Sequence, residues 1–405
     1  MKNLQFILCS ALMSISVAGV AADKEAFSSS DIFHLEYATN PRIAPGGNAV
    51  VYERKSMDVM ADSRRTNIWS VDLDGTNHRP IFSGKAHYSM PRFSPDGTRM
   101  AYVSSNEGKA QIYIKWLDTG QTARVTDVQF APSRLSWSPD SQTIAFTMFV
   151  PAKPVSLYSL PSKPKGAKWA KNATVVDKVT YRHDGRRGLL PEGFVHVFTV
   201  PADGGTPRQI TSGNFQYGSA PGWLKDNSGI IFSANLNDNW ELDPVESDIY
   251  SINLQSGDLV RLTDRKGPDS SPRISPNGAQ IAYLGFDDKL LSNQNVSLYV
   301  MAVDGSGARL LTADLDRSVN GVQWAADGKG LYYSYDNEGK HFAAYVTLSG
   351  GGRVITDKIG GTELGRPYTS GGFRVVPDGR MVSPSPALTG LQIWPSLTGS
   401  GAQFN

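Results

Sequence analysis

The stretch Pro91-Arg92-Phe93-Ser94-Pro95-Asp96-Gly97, followed by Met100-Ala101-Tyr102-Val103, decides the fold. Proline fixes φ at the first corner of a turn, Asp accepts a hydrogen bond from the nearby backbone, and Gly adopts a positive φ. Aromatic and β-branched residues on both sides read as two strands joined by a hairpin. The phrase recurs. Leu135-Ser136-Trp137-Ser138-Pro139-Asp140 precedes Ile144-Ala145-Phe146, and Pro272-Arg273-Ile274-Ser275-Pro276-Asn277-Gly278 precedes Ile281-Ala282-Tyr283. Looser copies run from Pro41 to Tyr52, Pro221 to Phe232, Val322 to Tyr333 and Phe373 to Val382.

A second phrase follows the copies: a strand ending in a glycine turn, as in Asn67-Ile68-Trp69-Ser70-Val71-Asp72-Leu73-Asp74-Gly75 and Ile249-Tyr250-Ser251-Ile252 to Gly257. After most of these comes a short run of Arg, apolar residues and Thr, such as Arg261-Leu262-Thr263 or Arg309-Leu310-Leu311-Thr312. One unit is therefore a four-stranded meander. The turn residues step from Asp96 through Asp140, Asp226, Asn277 and Asp327 to Asp378, mostly near the ~40–50 residues of a propeller blade. Such a unit cannot hide both faces alone, so units stack around an axis. The sequence predicts an all-β fold, a β-propeller of four-stranded antiparallel blades over residues 23–382, seven in number with the last incomplete. A β-sandwich would not need the same turn phrase at this spacing.

The chain has 405 residues, 40% hydrophobic and 19% charged, with 40 Gly and 24 Pro. The formal charge of +2 supplies no global field for nucleic acid or an anionic membrane. Residues 1–22 read as an export signal: Lys2, an uncharged and mostly apolar run from Leu4 to Val20, then Val20-Ala21-Ala22 at the cleavage position. The mature chain is expected to be secreted or periplasmic, cleaved near Ala22, with no membrane association afterwards. The only cysteine, Cys9, lies within the signal and follows Ile7-Leu8 rather than the small residues of a lipidation site, so no disulfide or thiolate site is expected. The long step from Asp140 to Asp226 holds an insertion at 151–172, rich in Pro, Lys and Ser, which should be an irregular excursion. Its lysines lack the stacking platforms of a single-strand binder.

The ordered phrases resemble the N-terminal propeller of the prolyl oligopeptidase family of serine peptidases, nearest its secreted bacterial acylaminoacyl-peptidase-like and dipeptidyl-peptidase-like members. Arg64-Arg65-Thr66-Asn67-Ile68-Trp69, Val200-Pro201-Ala202-Asp203-Gly204-Gly205-Thr206-Pro207-Arg208-Gln209, Gly267-Pro268-Asp269-Ser270-Ser271-Pro272 and Leu311-Thr312-Ala313-Asp314-Leu315-Asp316-Arg317-Ser318 carry the likeness, which runs from about Phe33 to about Val382. In that family the propeller covers an α/β-hydrolase domain with a Ser-Asp-His triad, its serine in a G-x-S-x-G elbow. No serine here has Gly at both flanking positions. No catalytic residue is assigned, and the chain alone is expected to be inactive. Residues 383–405 carry no charge and are expected to be an atypical tail from truncation or a shifted frame. The alternative is a closing strand through Leu391-Gln392-Ile393-Trp394.

The remaining candidates are few. The six histidines show no metal-ligand spacing, and Asn235-Leu236-Asn237-Asp238-Asn239 lacks the Gly and Glu of a calcium loop. No metal or cofactor is expected. Arginines are plentiful but scattered along the sequence, which neither shows nor excludes a cluster. In aminopeptidase-like members of the resembling family, propeller acids hold the substrate's free amino group. Trp240, Glu241 and Glu246, in one connection between strands, are the candidates for that substrate-binding role. An ammonium ~4 Å from a carboxylate gains ~4 kcal/mol at an effective dielectric near 20, before desolvation. The resemblance implies a substrate-gating propeller whose partner is a peptide. The alternative is a stand-alone periplasmic propeller, similar to that of the Tol system, whose partner is an envelope protein.

Overall fold

The computed structural model describes residues 28–152, 161–169, 176, 178–184, 188–361, 371–384 and 391–394. The export signal lies outside the described residues, as do parts of the insertion and of the tail.

Seven antiparallel sheets follow one another, each built from strands consecutive in sequence. Their first strands are Tyr37–Ile43, Tyr88–Phe93, Ser133–Trp137, Gly222–Trp223, Asp269–Ile274, Val319–Trp324 and Arg374–Val375. First strands of neighbouring sheets touch one another, and Tyr37–Ile43 touches Arg374–Val375. The first strands therefore surround an axis, while fourth strands such as Thr122–Arg124 and Leu259–Arg261 lie exposed on the rim. Six sheets are complete four-stranded blades, not seven; the remaining sheet has three strands. Its third strand is Leu391–Trp394, paired with Met381–Pro384. The uncharged stretch expected to fall outside the blades thus supplies a strand. The only helical element among the described residues is the 3₁₀ segment Ser29–His34.

The turn phrase works as its chemistry dictates. Ser94 Oγ donates to Asp96 Oδ1 (2.5 Å) and accepts from Arg99 N (3.0 Å), while Thr98 N donates to Asp96 Oδ1 (3.0 Å). The Ser94 hydroxyl and the Thr98 N–H hold the Asp96 carboxyl down to about 2. Ser138 with Asp140, and Ser275 with Asn277, repeat the arrangement. The Thr that ends four of the fourth-strand phrases also recurs in one bond. Thr126, Thr211, Thr263 and Thr312 accept from the backbone N–H of Ile112, Val197, Ile249 and Leu298, all at 2.9–3.0 Å. Each bond pins the rim strand to the third strand, where the ladder has run out.

The core is seven seams rather than one centre. Met100, Tyr102 and Tyr113 face Val51 and Ile68 between blades 1 and 2. Ile112, Ile114 and Phe146 fill the seam between 2 and 3, and Phe232 packs on Ala145 and Val197 between 3 and 4. Tryptophan indoles bond from blade to blade: Trp137 to Arg92 O (2.9 Å), Trp223 to Ser136 O (3.2 Å) and Trp324 to Arg273 O (2.9 Å). Apolar packing closes the ring, with Val50 of blade 1 against Val376 and Val382 of the last sheet. Among the described residues no strand from one end of the chain joins the sheet of the other.

Candidate functional site

Two places in this frame gather chemistry. The first is on the face of the ring opposite the Asp-Gly turns, where second and third strands connect. The second strand of blade 3 ends at Pro151 and its third begins at Gly193, so the insertion stands on this face. Its residues 161–169 carry no strand or helix and are mostly exposed. Between the chain that follows the insertion, from Val176 to Phe194, and the neighbouring connection of blade 4 lies a cleft of about 380 Å³, lined by Phe149, Tyr181, His183, Phe194, Gln216 and Trp240 among others. Trp240 is half-buried and meets Phe194 edge to face, with centroids 6.3 Å apart. Short turns hold the connection together: Trp240 N donates to Asn237 O, Leu242 N to Asn239 O, and Asn235 Nδ2 to Asp243 O (2.7 Å).

The two glutamates have different situations. Glu246 Oε2 accepts from Gly267 N (3.0 Å), tying the blade 4 connection to the start of blade 5. Beyond it, the buried Asp269 accepts from Arg265 Nε (3.0 Å). Arg265 also reaches Asp287 (3.2 Å) and stacks over Tyr299 at 4.0 Å. Burial pushes the Asp269 carboxyl up to about 6, against the pull of Arg265. Glu241 is half-buried, and no hydrogen bond or ion pair holds it among the described residues. Of the three residues singled out from the sequence, Trp240 lines the cleft, Glu246 serves the backbone, and Glu241 keeps its carboxylate uncommitted.

The second place is the axis. Counting back four residues from each turn Asp or Asn, and from Gly46 at the same place in blade 1, gives Arg42, Arg92, Ser136, Gly222, Arg273, Gln323 and Arg374. All seven occupy the same register, opposite Val51, Ala101, Ala145, Ile231, Ala282, Tyr332 and Val382 of the second strands. Four arginines thus stand at one level of the ring. Their Nη1 atoms each donate to the preceding carbonyl, at 2.7–3.0 Å. A bulge precedes the position in most first strands, with Asn40, Met90, Arg134, Ser271 and Gly321 at φ 53–57°. Bulges re-aim the next side chain, and non-Gly residues hold such a φ only under the constraint of their surroundings. In blade 3, where the ring position is Ser136, the bulge residue itself is the arginine, Arg134.

Electrostatics shows that these side chains converge. Burial lowers the pKa of Arg42, Arg92, Arg273 and Arg374, and the arginines lower one another's further. Arg92 feels Arg273 across the ring, Arg374 feels both, and Arg273 feels Arg134. Arg92 is pushed down to about 10 and Arg374 to about 9, so both remain charged at neutral pH, as arginine does in proteins generally. Among the described residues, the acid acting on the group is Glu53. Its carboxylate already accepts from Asn40 Nδ2 (2.7 Å), Met90 N (2.8 Å) and Thr39 Oγ1 (3.3 Å). Arg374 and Gln323 also line a cavity of about 610 Å³ that opens on the turn face beside Pro45, Phe93 and Pro377.

Comparison with known proteins fits the frame. Residues 56–244 match the model of the TolB beta propeller domain. An uncharacterized peptidase, YuxL of Bacillus subtilis, is 29% identical over 53% of this chain and 32% of its own length. Dipeptidyl-peptidase 5 of Porphyromonas gingivalis is 22% identical over 84% of this chain and 52% of its own. The relatives are peptidases. The chain spans about a third to a half of the length of these curated relatives. The acylaminoacyl peptidase of Pyrococcus horikoshii superposes with a TM-score of 0.66 over 90% of this chain and 52% of its own, at 18% identity, which shows the shared propeller fold.

The sequence left open whether its scattered arginines form a cluster, and the ring answers it: positions far apart in sequence meet at the axis. A signal existed in the repeat itself, because Pro-Arg opens three copies of the turn phrase and Phe-Arg a fourth. Among the described residues no group of three or more His, Cys, Asp or Glu is placed to hold a metal, and no helix is long and apolar enough to cross a membrane.

Proposed function

We propose that this propeller recognises and admits peptides for a peptidase hydrolase domain, with Trp240 and Glu241 contacting the amino end of the substrate. The observation that carries this reading is the alignment with dipeptidyl-peptidase 5 across 84% of the chain. A cleft with an aromatic wall, and an uncommitted carboxylate on the residue next in the chain to its Trp240, suits a short peptide with a free amine. Glu246, bound to Gly267 N, contributes by fixing the connection that carries the other two. Peptide entry in the periplasm or outside the cell accords with residues 1–22 as an export signal, and N-terminal sequencing of the exported protein should begin near Asp23.

Fluorescence anisotropy of the full chain with a labelled pentapeptide tests the reading, comparing a free α-amino group with its acetylated counterpart. The free amine should bind more tightly, and Glu241→Gln should abolish the preference. Equal affinity of the two peptides for the unaltered chain would refute the role of the acid, and no binding of either would refute peptide recognition. A second reading, a propeller that docks a folded envelope protein, is favoured by the match of residues 56–244 to the TolB propeller model. It predicts that neither peptide binds.

A further inference from the structure

We propose that the axis of the propeller is an oxyanion site, in which Arg42, Arg92, Arg273 and Arg374 bind a ligand carrying two or more carboxylate or phosphate groups. The proposal is independent of peptide admission at the opposite face. Four guanidiniums stand at one register level on strands that enclose the axis. Arg134 joins them from the blade whose ring position is only Ser136. Each of the four spends one donor on its neighbouring carbonyl. That bond holds the guanidinium in place and leaves most of its donors for something else. Arg42 Nε is buried without a partner, a condition that normally calls for an acceptor.

The described residues offer no adequate counter-charge. Five arginines face one glutamate, and Glu53 is already engaged by Asn40, Met90 and Thr39. Like charges gathered in a poorly solvated place repel, and without an anion they cost stability. Water still reaches the site: Arg134 and Arg273 keep accessible surface, although protein crowds around Arg273 closely enough to lower its pKa, and the other three are half-buried. A ligand therefore has access. Gly222 and Ser136 at the ring positions of blades 3 and 4 leave one side of the level open, and the cavity beside Arg374 leads in from the turn face. The planar fork of arginine matches the oxygen pairs of carboxylate and phosphate, and several forks on one axis favour a multiply charged ligand over a single anion.

Isothermal titration calorimetry of the full chain at low ionic strength tests this. The probes are citrate, pyrophosphate and an acidic pentapeptide, with its glutamine counterpart as the uncharged control. At least one anion should bind with 1:1 stoichiometry, weaken as salt is added, and lose about tenfold or more in affinity for each of Arg92→Gln and Arg273→Gln. Arg208→Gln, which removes a charge from the rim, should leave binding unchanged. Preference among citrate, pyrophosphate and the peptide identifies whether carboxylate, phosphate or an acidic chain is the natural source. Thermal melting checks that the variants fold, and both should be at least as stable as the parent because repulsion is relieved. Failure of all three anions to bind, or equal loss in the Arg208→Gln control, would overturn the proposal.

Discussion

The seams between blades and the axis they enclose are built on opposite plans. Each seam is apolar and made twice over, by side chains from two adjacent blades, so that the same pattern of Ile, Val and aromatic residues reappears around the ring. The axis has the same register in every sheet but not the same residue: four arginines, a glutamine, a serine and a glycine. The repeat secures the frame, and departures from it at one level create a charged centre with an open side. Stability should therefore be lost at the seams and gained, or left unchanged, at the axis.

The largest effect is expected in a full seam. Phe232→Ala removes a buried ring lying between blades 3 and 4 and should cost about 3–5 kcal/mol in denaturant unfolding. A loss under about 1 kcal/mol would mean that this seam is loosely packed. Next is Asp269, whose carboxyl is raised from 3.8 to about 6 by burial. The folded chain binds this proton more tightly than the unfolded one. Its contribution is therefore fully present below pH 3.8 and is lost as pH rises through about 6, by up to roughly 3 kcal/mol. Comparing melting of the parent with Asp269→Asn from about pH 4 to 7 should show the parent losing ground as pH rises; parallel curves would sever the link. In the closing seam, which rests on Val50, Val376 and Val382, Val382→Ala should cost about 2 kcal/mol. Hydrogen exchange should then open residues 381–384 before those of blade 3. The smallest change is Trp137→Phe, which keeps the ring but removes the bond to Arg92 O and should cost about 1 kcal/mol.

The seams were legible in the sequence because their chemistry is local. Pro, Asp and Gly at Pro95-Asp96-Gly97 dictate a hairpin without reference to anything distant, and the flanking Met100 to Val103 dictate the strand. The blade count was harder to read. Leu391–Trp394 carries no turn phrase, and its place in the last sheet shows only in its pairing with Met381–Pro384. Glu241 and Glu246 looked alike in sequence, and only Gly267, arriving from the next blade, distinguishes them. The arginine ring was written four times in plain view. Its meaning depended on closure, which brings Arg92 and Arg273 into each other's field.

The central claim is that four arginines share one open, anion-accepting axis. A crystal of the full chain soaked in sodium selenate, examined by anomalous difference density, tests it directly. The expected map has a peak on the axis within hydrogen-bonding reach of Arg92 and Arg273, with Arg42 and Arg374 turned toward it. Arginines paired instead with carboxylates of their own chain, and peaks only on the outer surface, would contradict it.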